Sequence, residues 1–76
     1  MVTGYMLVTT KPGKEYDVAM ELKKIQYVVE VDITYGLWDI IVKIQAPSLA
    51  EFDRTIQIIR SLKGIEQTAT LLSQGS

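Results

Sequence analysis

The stretch VVEVDITYGLWDIIVKI, Val28 to Ile44, decides the fold. Its first half alternates strictly. Val29, Val31, Ile33 and Tyr35 point one way, and Glu30, Asp32 and Thr34 the other, which is the period of a half-buried strand. Ile40 to Ile44 is a second, more apolar strand, so the two form a hairpin that turns at Gly36 to Asp39. Hairpin tips normally carry small polar turn formers. This tip carries Leu37 and Trp38 followed by a lone carboxylate, and it reads as a contact point.

On the N-terminal side, Tyr5 to Thr10 (YMLVTT) suits a buried strand, ended by Lys11-Pro12-Gly13. From Lys14 to Ile25, Val18, Ala19, Leu22 and Ile25 recur at helical spacing. Glu15 and Asp17 lie in the first turn of that helix, and Lys23 and Lys24 in its last, as the helix dipole favours. On the C-terminal side, Pro47 stops the hairpin. Ser48 and Glu51 form a capping box that opens a second helix, with Leu49, Phe52, Ile56 and Ile59 along one stripe. Gly64 closes that helix, Ile65 to Leu72 is the last strand, and Ser73 to Ser76 reads as a frayed tail.

The order is βαββαβ, and the halves echo each other. Pro12 before Glu15-Tyr16-Asp17 is matched by Pro47 before Glu51-Phe52-Asp53, about 36 residues later. This predicts one α+β domain over residues 1–76. Its fold is ferredoxin-like, a four-stranded antiparallel sheet with two helices on one face. The other face stays open. It is expected to show Glu30, Asp32 and Thr34 beside Ile41 and Lys43, with Thr68, Thr70 and Leu72 on one outer strand. From the first strand it would add either Met6, Val8 and Thr10 or Tyr5, Leu7 and Thr9. Such a mixed face suits sheet-to-sheet dimerisation.

Composition supports a partner. A chain of 76 residues buries only roughly 60% of its unfolded surface, so its core is marginal alone. Cysteine and histidine are absent, so disulfides and the commonest metal ligands are out of reach, yet 47% of the residues are apolar. Oligomerisation is the stabiliser left. Eight basic and nine acidic residues give a net charge of −1, which disfavours direct nucleic-acid binding. No signal segment and no membrane-length apolar run is present, which predicts a cytoplasmic protein.

Catalytic apparatus is missing too. There is no nucleophile paired with a base, no G-x-S-x-G elbow and no phosphate-binding glycine loop. The carboxylate pairs Glu15/Asp17 and Glu51/Asp53 are accounted for as helix first-turn charges. Glu30 and Asp32, two apart on one strand face, have the placement to bind a hard cation or a base on a partner, but read first as interfacial or solvated charges on an amphipathic strand. No cofactor, metal or enzyme activity is expected.

The opening YMLVTTKPGKE, the hairpin ITYGLWDIIVKI and the close LKGIEQTATLL resemble the ligand-binding (RAM) domain of Lrp/AsnC, or feast/famine, regulators. The resemblance runs from Tyr5 to Leu72. It rests most on Gly36, Trp38 and Asp39 in the hairpin and on Leu62, Gly64, Ile65, Thr68 and Thr70 near the end. Regulators of the family carry a helix-turn-helix domain ahead of this module. With four residues before Tyr5, the chain resembles the stand-alone form.

The resemblance implies a homodimer through the sheets that assembles to an octamer, and a small amino-acid effector bound at subunit interfaces. A full-length regulator of the same family is the implied protein partner. Gly36, Leu37, Trp38 and Asp39 would form the effector loop, with Asp39 on the α-ammonium and loop N–H groups on the carboxylate. Thr68 and Thr70 would add hydroxyls, while Leu49, Leu71 and Leu72 would line or support the pocket. Beside this stand plainer readings. Asp39 caps the turn, Gly36 is a turn glycine, the threonines are strand residues and Trp38 is an interface anchor. Two rival functions are a purely structural assembly module and a small dimeric α/β-barrel enzyme.

Overall fold

Residues 1–73 are described by a computed structural model. The elements are β1 (Val2–Thr10), α1 (Glu15–Lys23), β2 (Val28–Ile33), β3 (Ile40–Ala46), α2 (Leu49–Arg60) and β4 (Ile65–Leu72). The four strands form one antiparallel sheet of order β2-β3-β1-β4. This is the ferredoxin-like arrangement predicted from the pattern.

Alternation along the two central strands builds the core. Met6 and Val8 of β1, with Ile40, Val42, Ile44 and Ala46 of β3, turn to one side and are buried. There they meet Val18, Ala19 and Leu22 from α1 and Phe52, Ile56 and Ile59 from α2. Their odd-numbered neighbours Tyr5, Leu7 and Thr9 therefore belong to the open face, which resolves the alternative left by the sequence.

Register corrects the expectation for β4. Thr68, Thr70 and Leu72 pair with Val8, Met6 and Gly4, and directly paired residues share a face. Those three thus lie on the helix side, and Gln67, Ala69 and Leu71 lie on the open face. The open face carries two cross-strand rows, Glu30-Lys43-Tyr5-Leu71 and Asp32-Ile41-Leu7-Ala69. Charge gathers at the β2 edge and apolar surface over β1 and β4.

Other boundaries moved for local reasons. The β2–β3 register shifts between Val28 and Glu30. This bulge turns Val28 inward and leaves Val29 49% exposed, against its expected inward position. Strand β2 stops at Ile33, and Tyr35 is fully exposed instead of alternating inward. Leu49 starts α2 in the open, so the buried stripe is Phe52, Thr55, Ile56 and Ile59. Ser73 is not frayed, since its N–H donates to the Thr3 carbonyl at 2.8 Å. The rest of the expected tail, residues 74–76, lies outside the described residues.

Ser48 caps α2, while Glu51 answers through the Ser48 hydroxyl instead of the backbone N–H of a full capping box, and gains an added partner. Ser48 Oγ accepts from the Glu51 N–H at 3.4 Å and donates to Glu51 Oε1 at 3.0 Å. Tyr27 Oη donates to Glu51 Oε2 at 2.7 Å. Tyr27 has φ of +75°, an uncommon conformation for a bulky side chain. Its carbonyl, which accepts from Gln45 N–H at 2.9 Å, and its hydroxyl hold it there. The Tyr27 hydrogen bond, then that from Ser48, hold the Glu51 carboxyl below its ordinary range, and the Glu51 bond raises the Tyr27 phenol.

Two predictions follow from this packing. A Cβ on Gly4 would run into the Phe52 ring and lie 2.9 Å from the Leu71 carbonyl oxygen. Gly4→Ala is therefore expected to cost about 1–3 kcal/mol, read as a lowered urea midpoint at unchanged slope. The second concerns Tyr27→Phe. Because Glu51 is depressed in the folded state, its contribution is complete above the unfolded carboxyl value, about 4.3. It is lost as pH falls through the lower folded value. Tyr27→Phe should be less stable than the parent at pH 7, with the gap closing toward pH 3 in urea titrations.

Candidate functional site

The β2–β3 loop is anchored at its base and free at its tip. Thr34 N–H donates to the Asp39 carbonyl at 2.8 Å, and Thr34 Oγ1 to the Trp38 carbonyl at 2.7 Å. Asp39 N–H continues the sheet by donating to the Val8 carbonyl at 2.9 Å. The Asp39 carboxylate reaches across to β1, where Oδ2 accepts from Thr10 N–H at 2.8 Å. Thr10 Oγ1 approaches the same oxygen at 3.5 Å. One carboxylate oxygen thus closes the end of β1, as a cap does.

Between these anchors, Tyr35, Gly36 and Leu37 project into solvent and Trp38 is half-buried. Gly36 has φ of +116° with open space where a Cβ would stand. Glycine is there for its backbone conformation. Among the described residues, the N–H groups of Gly36 and Leu37 have no backbone acceptor. They are donors without an internal use.

A cleft of ≈ 420 Å³ opens beside this loop. The hairpin contributes Ile33, Thr34, Tyr35, Gly36 and Asp39, and the first turn of α1 contributes Glu15 and Tyr16. The meeting follows from topology. Strand β1 ends at the hairpin end of the sheet, Val8 pairing with Ile40, so the helix leaving β1 begins over the hairpin. No lysine or arginine lines the cleft. Its volume falls within the range of about 300–1,000 Å³ typical of small-molecule sites.

The nine residues implicated from the sequence do not converge in one protomer. Gly36 and Asp39 line the cleft, and Leu37 and Trp38 complete its loop. Thr68 lies two strands away through Ile40 and Val8, and Thr70 one step further along β4. Leu71 and Leu72 pair with Tyr5 and Gly4 toward the opposite end of β1, and Leu49 starts the helix that follows β3 at that end. Leu49, Leu71 and Leu72 are all more than half exposed. Glu15, Tyr16, Thr34 and Tyr35 also line the cleft and are not among those nine. The helix dipole accounts for Glu15 along the sequence, although the βαβ order puts that first turn beside the hairpin.

Comparison with known proteins gives the family. Residues 3–75 match the Lrp/AsnC ligand binding domain. The HTH-type transcriptional regulator FL11 of Pyrococcus horikoshii is 37% identical over 69 residues, covering 91% of this chain and 46% of that protein. The chain spans about half the length of the curated relatives it matches. The crystal structure of FFRP-DM1 superposes with a TM-score of 0.93 at 35% identity, covering 97% of this chain and all of that one. The hypothetical protein PHS023 from Pyrococcus horikoshii gives 0.92 at 34% identity, over 100% of this chain and 93% of that one. This chain belongs to the Lrp/AsnC family, through its ligand-binding domain. Among the described residues no helix is long and apolar enough to cross a membrane, and no three metal-ligating side chains cluster.

The anchoring role of Asp39 is testable by itself. Asp39→Ala leaves the N–H of the buried Thr10 without its acceptor, at a cost of about 1–3 kcal/mol. Faster hydrogen exchange of the Thr10 amide would report it, with Asp39→Asn, which keeps an acceptor oxygen, affected less.

Proposed function

We propose that this chain is a non-enzymatic regulatory module that binds a small amino-acid effector where subunits meet and converts occupancy into a change of assembly. The observation that carries this reading is a pinned hairpin with unused N–H donors, beside a cleft and next to an uncovered sheet face. An α-amino acid is a zwitterion. Removing it from water takes at least one anion for the ammonium and several aimed donors for the carboxylate. In this reading the loop N–H groups meet the effector's carboxylate, and a carboxylate of the cleft meets its ammonium.

The open face supports the subunit contact. Its apolar half, Tyr5, Leu7, Ile41, Ala69 and Leu71, is suited to pack on a second copy, with Glu30, Asp32 and Lys43 toward the rim. Dimers then assemble further, to an octamer, and the site becomes intersubunit. Thr68, Thr70, Leu49, Leu71 and Leu72 do not line the cleft of one protomer. They contribute only if a neighbouring subunit brings them there. Trp38, half-buried at the tip, is assigned to that contact. A ligand that binds the assembled form better than free subunits shifts assembly by mass action. The output is contact with a full-length regulator of the same family.

The similarity of the chain to transcriptional regulators supports this reading. Isothermal titration with each of the twenty amino acids, with native mass spectrometry at each end point, tests it. The expected outcome is saturable heat with one or a few of them and a shift in the oligomer distribution. Silence with all twenty would overturn effector sensing and leave a structural assembly module.

A further inference from the structure

We propose that Glu15, in the first turn of α1, is the free counter-charge of the hairpin cleft and contacts the ammonium group of the effector directly. This rests on the effector-binding reading and assigns a ligand residue outside the Gly36-to-Asp39 loop. The cleft holds two carboxylates and no cationic side chain. It is therefore selective for positive charge whichever acid makes the contact.

The two acids are not equivalent. Asp39 Oδ2 is engaged by the Thr10 amide at 2.8 Å, with the Thr10 hydroxyl at 3.5 Å. That oxygen is committed to the end of β1, which leaves Asp39 only Oδ1 for a ligand, whereas both oxygens of Glu15 are unengaged among the described residues. Glu15 is half-buried at the cleft wall, and among the described residues it has neither a hydrogen bond nor an ion pair. The neighbouring acid of the same turn, Asp17, has Lys14 Nζ at 4.0 Å and stands outside the cleft. A partly desolvated carboxylate with no partner gains more from a primary ammonium than one already hydrogen-bonded.

The remaining walls fit the same ligand group. Tyr16 and Tyr35 both line the cleft, and aromatic faces attract an alkylammonium. The unused Gly36 and Leu37 N–H groups belong to the hairpin wall, and Glu15 to the α1 wall. An amino acid lying across the cleft would place its ammonium toward α1 and its carboxylate toward the loop. Reversed, its carboxylate would meet Glu15. The dipole of α1 is served by Glu15 in either case, so stability alone would not reveal the contact.

The test uses the full chain and isothermal titration with the twenty L-amino acids, followed by the N-acetyl derivatives of those that bind. Glu15→Gln keeps size and shape while removing the charge. It is expected to weaken amino-acid binding at least about tenfold, with circular dichroism confirming the fold. Glu15→Asp is expected to recover part of the loss, and N-acetylation to abolish binding to the parent. Undiminished binding to Glu15→Gln, with loss on Asp39→Asn, would overturn the assignment and give the ammonium to Asp39. Silence of the parent protein with every amino acid would instead remove the effector reading on which the assignment stands.

Discussion

The two central strands alternate, and they can satisfy that alternation only by drying one side of the sheet. Met6 and Val8, with Ile40, Val42, Ile44 and Ala46, turn inward and both helices gather over them. Both crossovers return to the same face because βαβ connections are right-handed. Everything else follows from that one-sidedness. The opposite face is left with Tyr5, Leu7, Ile41, Ala69 and Leu71 beside acids and a lysine.

The same constraint places the candidate site. Because α1 starts where β1 ends, and β1 ends beside the β2–β3 turn, one end of the sheet collects a helix first turn and a protruding loop. Asp39 ties the loop to β1, bonding through its N–H to Val8, through its carbonyl to Thr34 and through its carboxylate to Thr10. With that base rigid, Gly36 and Leu37 can present backbone donors without loosening the sheet. The cleft is thus a by-product of how the strands close, and its chemistry is set by which charged groups happen to face it. Glu15 and Asp39 do, and no basic residue does.

Energetically the protomer is short of interior. Its core is a single layer between one sheet face and two helices, and close fits such as Gly4 against the Phe52 ring leave little slack. Burying the open face against a copy would add apolar area at about 25 cal/mol per Å² before the costs of association. Coupling a ligand to that step needs no large internal motion, only different affinity for assembled and separate subunits.

Much of this was legible in the residues. The element order, the hairpin, the helix cap at Ser48, and the importance of the Gly36-to-Asp39 tip come from local periodicity and turn chemistry, which act over a few residues. What failed to be legible depended on distant pairing. The face shown by β4 is set by its register with β1, so Thr68 and Thr70 went to the helix side. A one-residue bulge sent Val29 outward. Asp39 found its acceptor role on Thr10, 29 residues away, and Glu15 met the hairpin only because a crossover placed it there. Sequence alone determined which segments become strands or helices and which of their sides are apolar, because those properties are encoded by neighbours along the chain. Tertiary structure alone decided which groups from separate segments share a cleft, because strand register and helix placement are settled when the whole core packs at once.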